Sequence, residues 1–204
     1  MRRASSRFRV AVLAAGGLAV PVVAAQEPAT ACETPVGCVA ALHAGLVAAV
    51  GDGAGDVHRR YEQIAPLVTA THDVGFIAEF SVRREWEGFD ADARAAFIAA
   101  FSHLSAMTYA TRFGSVGAET FAIDGSETQP SGRVSVAARI RRAPEPDIPL
   151  DYLLHETGDG WRIINVVADG VSDLALKRAE YRAVLDEGGV EALLEHLDEQ
   201  IDAL

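Results

Sequence analysis

The spacing of apolar residues changes twice along this chain, and that constrains its fold more than any other feature. Up to Phe113 they recur at helical spacing, after Gly114 they alternate, and after Ser172 the helical spacing returns. Val39, Leu42, Leu46 and Val50 share one face of a helix expected over Val36 to Val50, which Gly51, Gly53 and Gly55 end. A second helix begins near Asp56 and carries Val57, Tyr61, Ile64 and Leu67, with a bend at Pro66. Thr71 to Trp86 is expected as a third, grouping Phe76, Ile77 and Phe80. The clearest helix follows the N-cap Asp90, with Ala93, Phe97, Phe101, Leu104 and Thr108 on one face, and ends near Phe113-Gly114. Met107 and Tyr109 widen that face, so this helix is expected between other elements.

Glu119 to Asp124 is expected as the first strand. Val134, Val136, Ala138 and Ile140 then alternate with Ser135, Ala137, Arg139 and Arg141, and Leu150, Tyr152 and Leu154 form a third set. Gly158-Asp159-Gly160 makes a tight connection to Trp161, Ile163 and Val167. About four consecutive strands with short connections predict an antiparallel sheet. Ser172 is the expected N-cap of a helix bearing Leu174, Tyr181, Val184 and Leu185, which Gly188-Gly189 separates from a last helix bearing Val190, Leu193, Leu194, Leu197 and Ile201. The opposite face of that last helix holds Glu187, Glu191, Glu195, Glu199 and Asp202, expected as a solvated face with docking to a basic partner as the alternative. The fold class is α+β: a twisted antiparallel sheet covered by helices.

Arg2, Arg3, Arg7 and Arg9 precede an uncharged run from Val10 to Ala25, the pattern of a secretory signal peptide cleaved after Ala25. The run is short for a membrane span. Residues 26–204 are then expected as a single domain. Removing those arginines leaves 14 basic against 29 acidic residues, a formal charge of −15. Such a surface argues against nucleic acid as a partner and against adsorption to anionic bilayers. Cys32 and Cys38 are the only cysteines, and in an exported chain a disulfide between them is the expected state. With no second pair and no histidine nearby, they do not read as a zinc site.

The 26–204 segment holds no nucleophile elbow, phosphate-binding glycine loop or H-E-x-x-H motif, and no cofactor is expected. His43, His58, His72, His103, His155 and His196 are scattered and are expected at the surface. His72 and Asp73 point about 100° apart on a helix, so they make a poor couple. Arg139, Arg141 and Arg142 are read as outer-face strand residues. Tyr152 shares a face with Leu150 and Leu154 whereas Asp151 does not, which weakens a small-molecule isomerase of the ketosteroid type, an alternative needing an acid inside the cone.

The run Gly160-Trp161-Arg162-Ile163-Ile164-Asn165-Val166-Val167-Ala168-Asp169-Gly170-Val171-Ser172, with Tyr181-Arg182 and Gly188-Gly189-Val190-Glu191-Ala192-Leu193-Leu194, resembles the C-terminal signature of the MlaC or toluene-tolerance family. Arg60-Tyr61, Ile64-Ala65-Pro66, Phe97-Ile98-Ala99-Ala100-Phe101 and Thr108-Tyr109-Ala110 resemble its helical motifs in order. Asp169 to Tyr181 is most similar to the hopanoid-associated HpnM branch, although Asn165 stands where an aspartate is usual.

The resemblance implies a non-enzymatic periplasmic lipid carrier, built from NTF2-like or cystatin-like elements plus a helical subdomain that enclose an apolar cavity. Its ligand would be a phospholipid or hopanoid. Its partners would be inner-membrane components of an ABC transport system and an outer-membrane protein. The residues expected to line the cavity are Phe76, Phe80, Phe97, Phe101, Leu104, Tyr109, Val136, Ile140, Tyr152, Leu154, Ile163 and Val167; the alternative for each is ordinary core. Two acyl chains with roughly 30 methylenes in all involve on the order of 25 kcal/mol of gross apolar transfer, so a carrier must enclose them almost fully and needs a partner for release. A non-catalytic adaptor with a solid core is the remaining alternative.

Overall fold

A computed structural model describes residues 32–53, 55–113, 120–142 and 144–204. The expected signal peptide, Gly114 and the expected strand start at Glu119 lie outside the described residues. The helices are α1 (Pro35–Gly53), α2 (Val57–Thr71), α3 (Val74–Ser81), α4 (Ala91–Arg112) and α5 (Asp173–Asp202), with a single 3-10 turn at Trp86–Gly88. Strands β1 (Thr120–Thr128), β2 (Val134–Arg142), β3 (Glu145–Thr157), β4 (Gly160–Ala168) and β5 (Val171–Ser172) form one antiparallel sheet in chain order. The architecture is α+β, with a short fifth strand beyond the four expected. Its connection is the dipeptide Asp169-Gly170, both with positive φ (50° and 77°), the backbone of a tight hairpin turn.

Helices α2, α4 and α5 start at side-chain caps. Asp56 Oδ1 accepts from the N–H groups of His58 and Arg59, Asp90 Oδ1 from Ala93, and Ser172 Oγ from Ala175. Ser172 in turn donates to Asn165 Oδ1 at 3.0 Å, so the asparagine on β4 holds the cap that starts α5.

The third helix is shorter than the sequence predicts. His72 leaves helical geometry (φ −110°, ψ 146°) and bridges Ile163 of β4, while the Asp73 N–H donates to the Ile163 carbonyl at 3.0 Å. Pairing with the sheet therefore wins over continuing α2. Asp73 restarts the helix by accepting from Phe76 N–H, and its other oxygen meets His155 Nε2 at 2.9 Å. The chain then turns through Trp86–Gly88 before α4 begins.

Helix α5 breaks at Gly189 (φ 69°, ψ −160°), a region that side-chain-bearing residues avoid. The break folds the helix back on itself. His196 Nε2 lies 2.8 Å from Glu180 Oε1, though in a straight helix these residues would stand about 24 Å apart. The two limbs match the two helices expected around Gly188-Gly189, and their shared apolar face buries Tyr181, Leu193 and Leu197.

Two apolar clusters result. In the first, Val39, Leu42 and Leu46 of α1, Ile64 and Val68 of α2, and Ala106 and Ala110 of α4 pack on Val136, Ile140, Leu150, Leu154 and Ile163 of the sheet. In the second, Ile77 of α3, Phe97, Phe101 and Leu104 of α4, and the α5 residues pack on Ile164. Consecutive strand residues point to opposite sides, so Ile163 and Ile164 place the clusters on opposite faces of β4. The two halves of α4 belong to different clusters, which accounts for its wide apolar face. Cys32 and Cys38 are disulfide-bonded and lie in the first cluster. The Cys32 carbonyl accepts from Trp161 N–H at 2.8 Å; a Cβ on Gly160, whose φ is +102°, would meet that carbonyl oxygen at 2.6 Å.

Candidate functional site

The residues expected to line one cavity fall into both clusters. Val136, Ile140, Tyr152, Leu154 and Ile163 are buried on the α1/α2 face of the sheet, with Tyr109 half-buried against them. Phe97, Phe101 and Leu104 are buried in the second cluster, and Phe76 packs half-buried at its edge. Phe80 is half-buried on α3, its ring 5.8 Å from that of Phe76.

Val167 is a member of neither cluster. A bulge between Leu153 and Leu154 pairs Leu154 with Ile163 but Leu153 with Asn165, which shifts the alternation of β4 by one residue. Val167 consequently pairs with Asp151 on the far face, and Val166, paired with Tyr152, packs on the first cluster instead. Strict alternation cannot show a bulge in advance.

The interior beneath α1 and α2 holds two histidine–tyrosine pairs. His43 Nε2 is 3.0 Å from the Tyr152 hydroxyl, and the His43 ring stacks on Phe121 with centroids 4.1 Å apart. His72 Nε2 is 3.2 Å from the Tyr109 hydroxyl, while its Nδ1 is 2.9 Å from Thr71 Oγ1. Thr71 donates its only hydroxyl proton to the Leu67 carbonyl at 2.8 Å, so it accepts from His72 Nδ1–H, and His72 Nε2 accepts from Tyr109. His43 and His72 are 6% and 8% exposed, contrary to the surface placement expected for them. The signal was present for His43, since Val39, His43, Leu46 and Val50 lie at i, i+4, i+7 and i+11.

Desolvation sets the charge state of these pairs. Burial lowers each histidine from 6.5 to about 4. It pushes both tyrosines well above the ordinary phenolic range, so at neutral pH all four groups are uncharged. An imidazole with so low a pKa is a weak base, and a phenol raised so far is a weak acid; neither is tuned for proton transfer near pH 7. No carboxylate is buried among the described residues, and the one buried cation, Arg60, donates from Nε to the Ala110 carbonyl at 2.7 Å. No group of three metal-ligating side chains occurs among the described residues, and no helix there is long and apolar enough to cross a membrane.

Aromatic contacts run from this interior to the end of α4. Tyr109 stacks on Phe113 at 5.9 Å, and Phe113 lies 5.7 Å from Phe121, which covers His43. Phe113 and Phe121 are half-buried, so the apolar lining reaches the edge between α4 and β1.

This sheet, covered by helices along one face and at β4 on the other, over a neutral interior, coincides with a known family. The model of the MlaC protein family matches residues 42–199. The chain belongs to the MlaC family. A phospholipid-binding protein from Ralstonia solanacearum, solved in complex with a phospholipid, matches this MlaC-family chain with a TM-score of 0.72 at 19% identity, over 85% of this chain and 97% of that one. A likeness at that identity establishes the shared fold. No curated protein matches.

Proposed function

We propose that this MlaC-family protein is a non-catalytic periplasmic lipid carrier that hides acyl or polycyclic chains between the sheet and its helices. The observation that carries the reading is the neutral interior: apolar side chains and mutually satisfied histidine–tyrosine pairs, with no buried carboxylate among the described residues. A ligand held there gains about 0.8 kcal/mol per methylene and has no charge to answer. Val136, Ile140, Tyr152, Leu154, Ile163 and Tyr109 line this chamber in our reading, with Phe113 and Phe121 at its edge; Phe76, Phe80, Phe97, Phe101 and Leu104 support the helices that must move as it fills. The phospholipid in the similar Ralstonia structure favours a phospholipid ligand. The likeness of Asp169–Tyr181 to the hopanoid-associated branch supports a hopanoid as the second reading.

Export by the signal peptide and cleavage after Ala25 would deliver residues 26–204 to the periplasm as one domain. Release of so apolar a cargo into water is prohibitive, so exchange requires membrane proteins, inner-membrane transporter components first and an outer-membrane protein as a further partner.

The test is native mass spectrometry of the mature protein purified without detergent, followed by extraction and identification of the lipid. A stoichiometric phospholipid or hopanoid adduct is the expected result. A protein that stays lipid-free after incubation with labelled liposomes would overturn the carrier reading.

A further inference from the structure

The two histidine–tyrosine pairs beneath α1 and α2 are alike in charge but differ in how many of their protons they use. A neutral imidazole carries one N–H and a phenol one O–H, so each pair holds two protons to donate. In the pair at the α2–α3 junction both are placed. The Tyr109 hydroxyl donates to His72 Nε2, and His72 Nδ1–H donates to Thr71 Oγ1. In the other pair the hydrogen bond between His43 Nε2 and the Tyr152 hydroxyl, at 3.0 Å, is the only one that either side chain makes among the described residues. That bond uses one proton whichever way it runs. If Tyr152 donates, His43 Nδ1–H is left over; if His43 donates, the Tyr152 O–H is left over.

This second donor is desolvated and close to the edge of the chamber. His43 and Tyr152 are both more than nine-tenths buried. An acceptor brought into these surroundings can take the proton without displacing the existing bond, and a desolvated donor gains from every acceptor it finds. Phe121, half-buried, stacks on the His43 ring at 4.1 Å, and Phe113 lies beyond it at 5.7 Å. The pair therefore sits just behind the aromatic edge between α4 and β1. A lipid with its chains in the chamber and its headgroup in water at that edge carries its acyl esters at the boundary between the two, which is the level of this pair.

We infer that the His43–Tyr152 pair donates its second proton to an ester carbonyl of the carried lipid, and so selects ester-linked chains. The inference rests on the carrier reading and names the part of the ligand that this pair recognises. The bond joins neutral groups, so it sets the depth and orientation of the lipid and leaves the headgroup unread.

The test loads the mature protein with dioleoyl phosphatidylglycerol or its diether analogue with the same chains, each delivered from cyclodextrin, and reads the ester-to-ether loading ratio by native mass spectrometry. An ether oxygen is a weaker acceptor than an ester carbonyl, so wild type should favour the ester about 3- to 10-fold, the range of one neutral hydrogen bond. H43F and Y152F should each keep a preference, because either replacement leaves one donor behind, the Tyr152 O–H or the His43 N–H. H43F/Y152F removes both and should bring the ratio close to one, while two apolar rings of similar shape leave no polar group unpaired. A wild-type ratio near one, or a preference that survives H43F/Y152F, overturns the assignment and leaves the carrier reading standing. Loss of the preference in both single variants also overturns it, since a donor remains in each. Uptake of neither lipid by wild type overturns the phospholipid reading itself.

Discussion

Mild acid should destabilise this protein well before its carboxylates titrate. His43 and His72 titrate at about 4 in the folded chain and near 6.5 when unfolded. Between those values the unfolded state binds more protons, so stability is complete above pH 6.5, falls as pH drops, and is fully lost for these groups near pH 4. Moving from pH 7.5 to 5.5 removes about 1.3 kcal/mol per histidine, or about 3 kcal/mol for the two. That is a large fraction of the 5–15 kcal/mol typical of a domain. Urea unfolding followed by circular dichroism at pH 7.5, 6.5 and 5.5 measures the effect, and the window lies above the ordinary carboxylate range. His43→Phe should halve the pH dependence while lowering stability at every pH, because it leaves the Tyr152 hydroxyl without its partner. An unfolding free energy that stays flat over this window, or a ring-proton titration of either histidine with a midpoint above 6, would refute the desolvated interior on which the proposed function rests.

Four further substitutions test the packing and the proposed lipid site. Gly189→Ala should cost about 1–3 kcal/mol in a thermal melt, because alanine is strained at φ 69°, ψ −160° and the break folds α5 back on itself. Tyr181→Phe should leave stability unchanged or raise it by up to about 2 kcal/mol, since the buried Tyr181 hydroxyl has no hydrogen-bond partner; a clear loss in chemical denaturation would show that the hydroxyl is satisfied in solution. Phe101→Asp places an unpaired carboxylate at a position 2% exposed and should abolish lipid loading, whereas Glu195→Lys on the solvated face should load normally in the same liposome assay. Normal loading by both variants would remove Phe101 from any part in the site.

Local periodicity made much of the fold legible. Asp90 and the Phe97–Phe101 stripe predict α4, Val134 to Ile140 predict β2, and Gly188-Gly189 predicts the break in α5, because each signal is contained in a few neighbouring residues. What the pattern misses depends on partners distant in the chain. His72 leaves the helix because the backbone beside it pairs with Ile163. Val167 faces away because of a bulge set by the register with β3. His43 is buried because Phe121 and Tyr152 cover it from two strands. Most of the apolar residues expected around one cavity are buried, but their division between two sheet faces follows from α4 spanning both clusters, which no single stripe displays.

The neutrality of the interior also bears on how a lipid would be recognised. Burial of methylenes is non-directional and scales with area, so a lipid held in the proposed chamber would be selected mainly by how much apolar surface it offers. The histidine–tyrosine pairs do not alter this, since each polar group already has its partner within the protein and a ligand that displaced one would leave the other unsatisfied. Substitutions of apolar residues in the proposed chamber should therefore change how much lipid the protein holds rather than which lipid it holds. A chamber variant such as Leu154→Phe, overpacking a position that is 0% exposed, should lower loading of phosphatidylglycerol and diacylglycerol in equal proportion. If it changed their ratio instead, the interior would be reading the headgroup, and the proposal of a neutral chamber would be wrong.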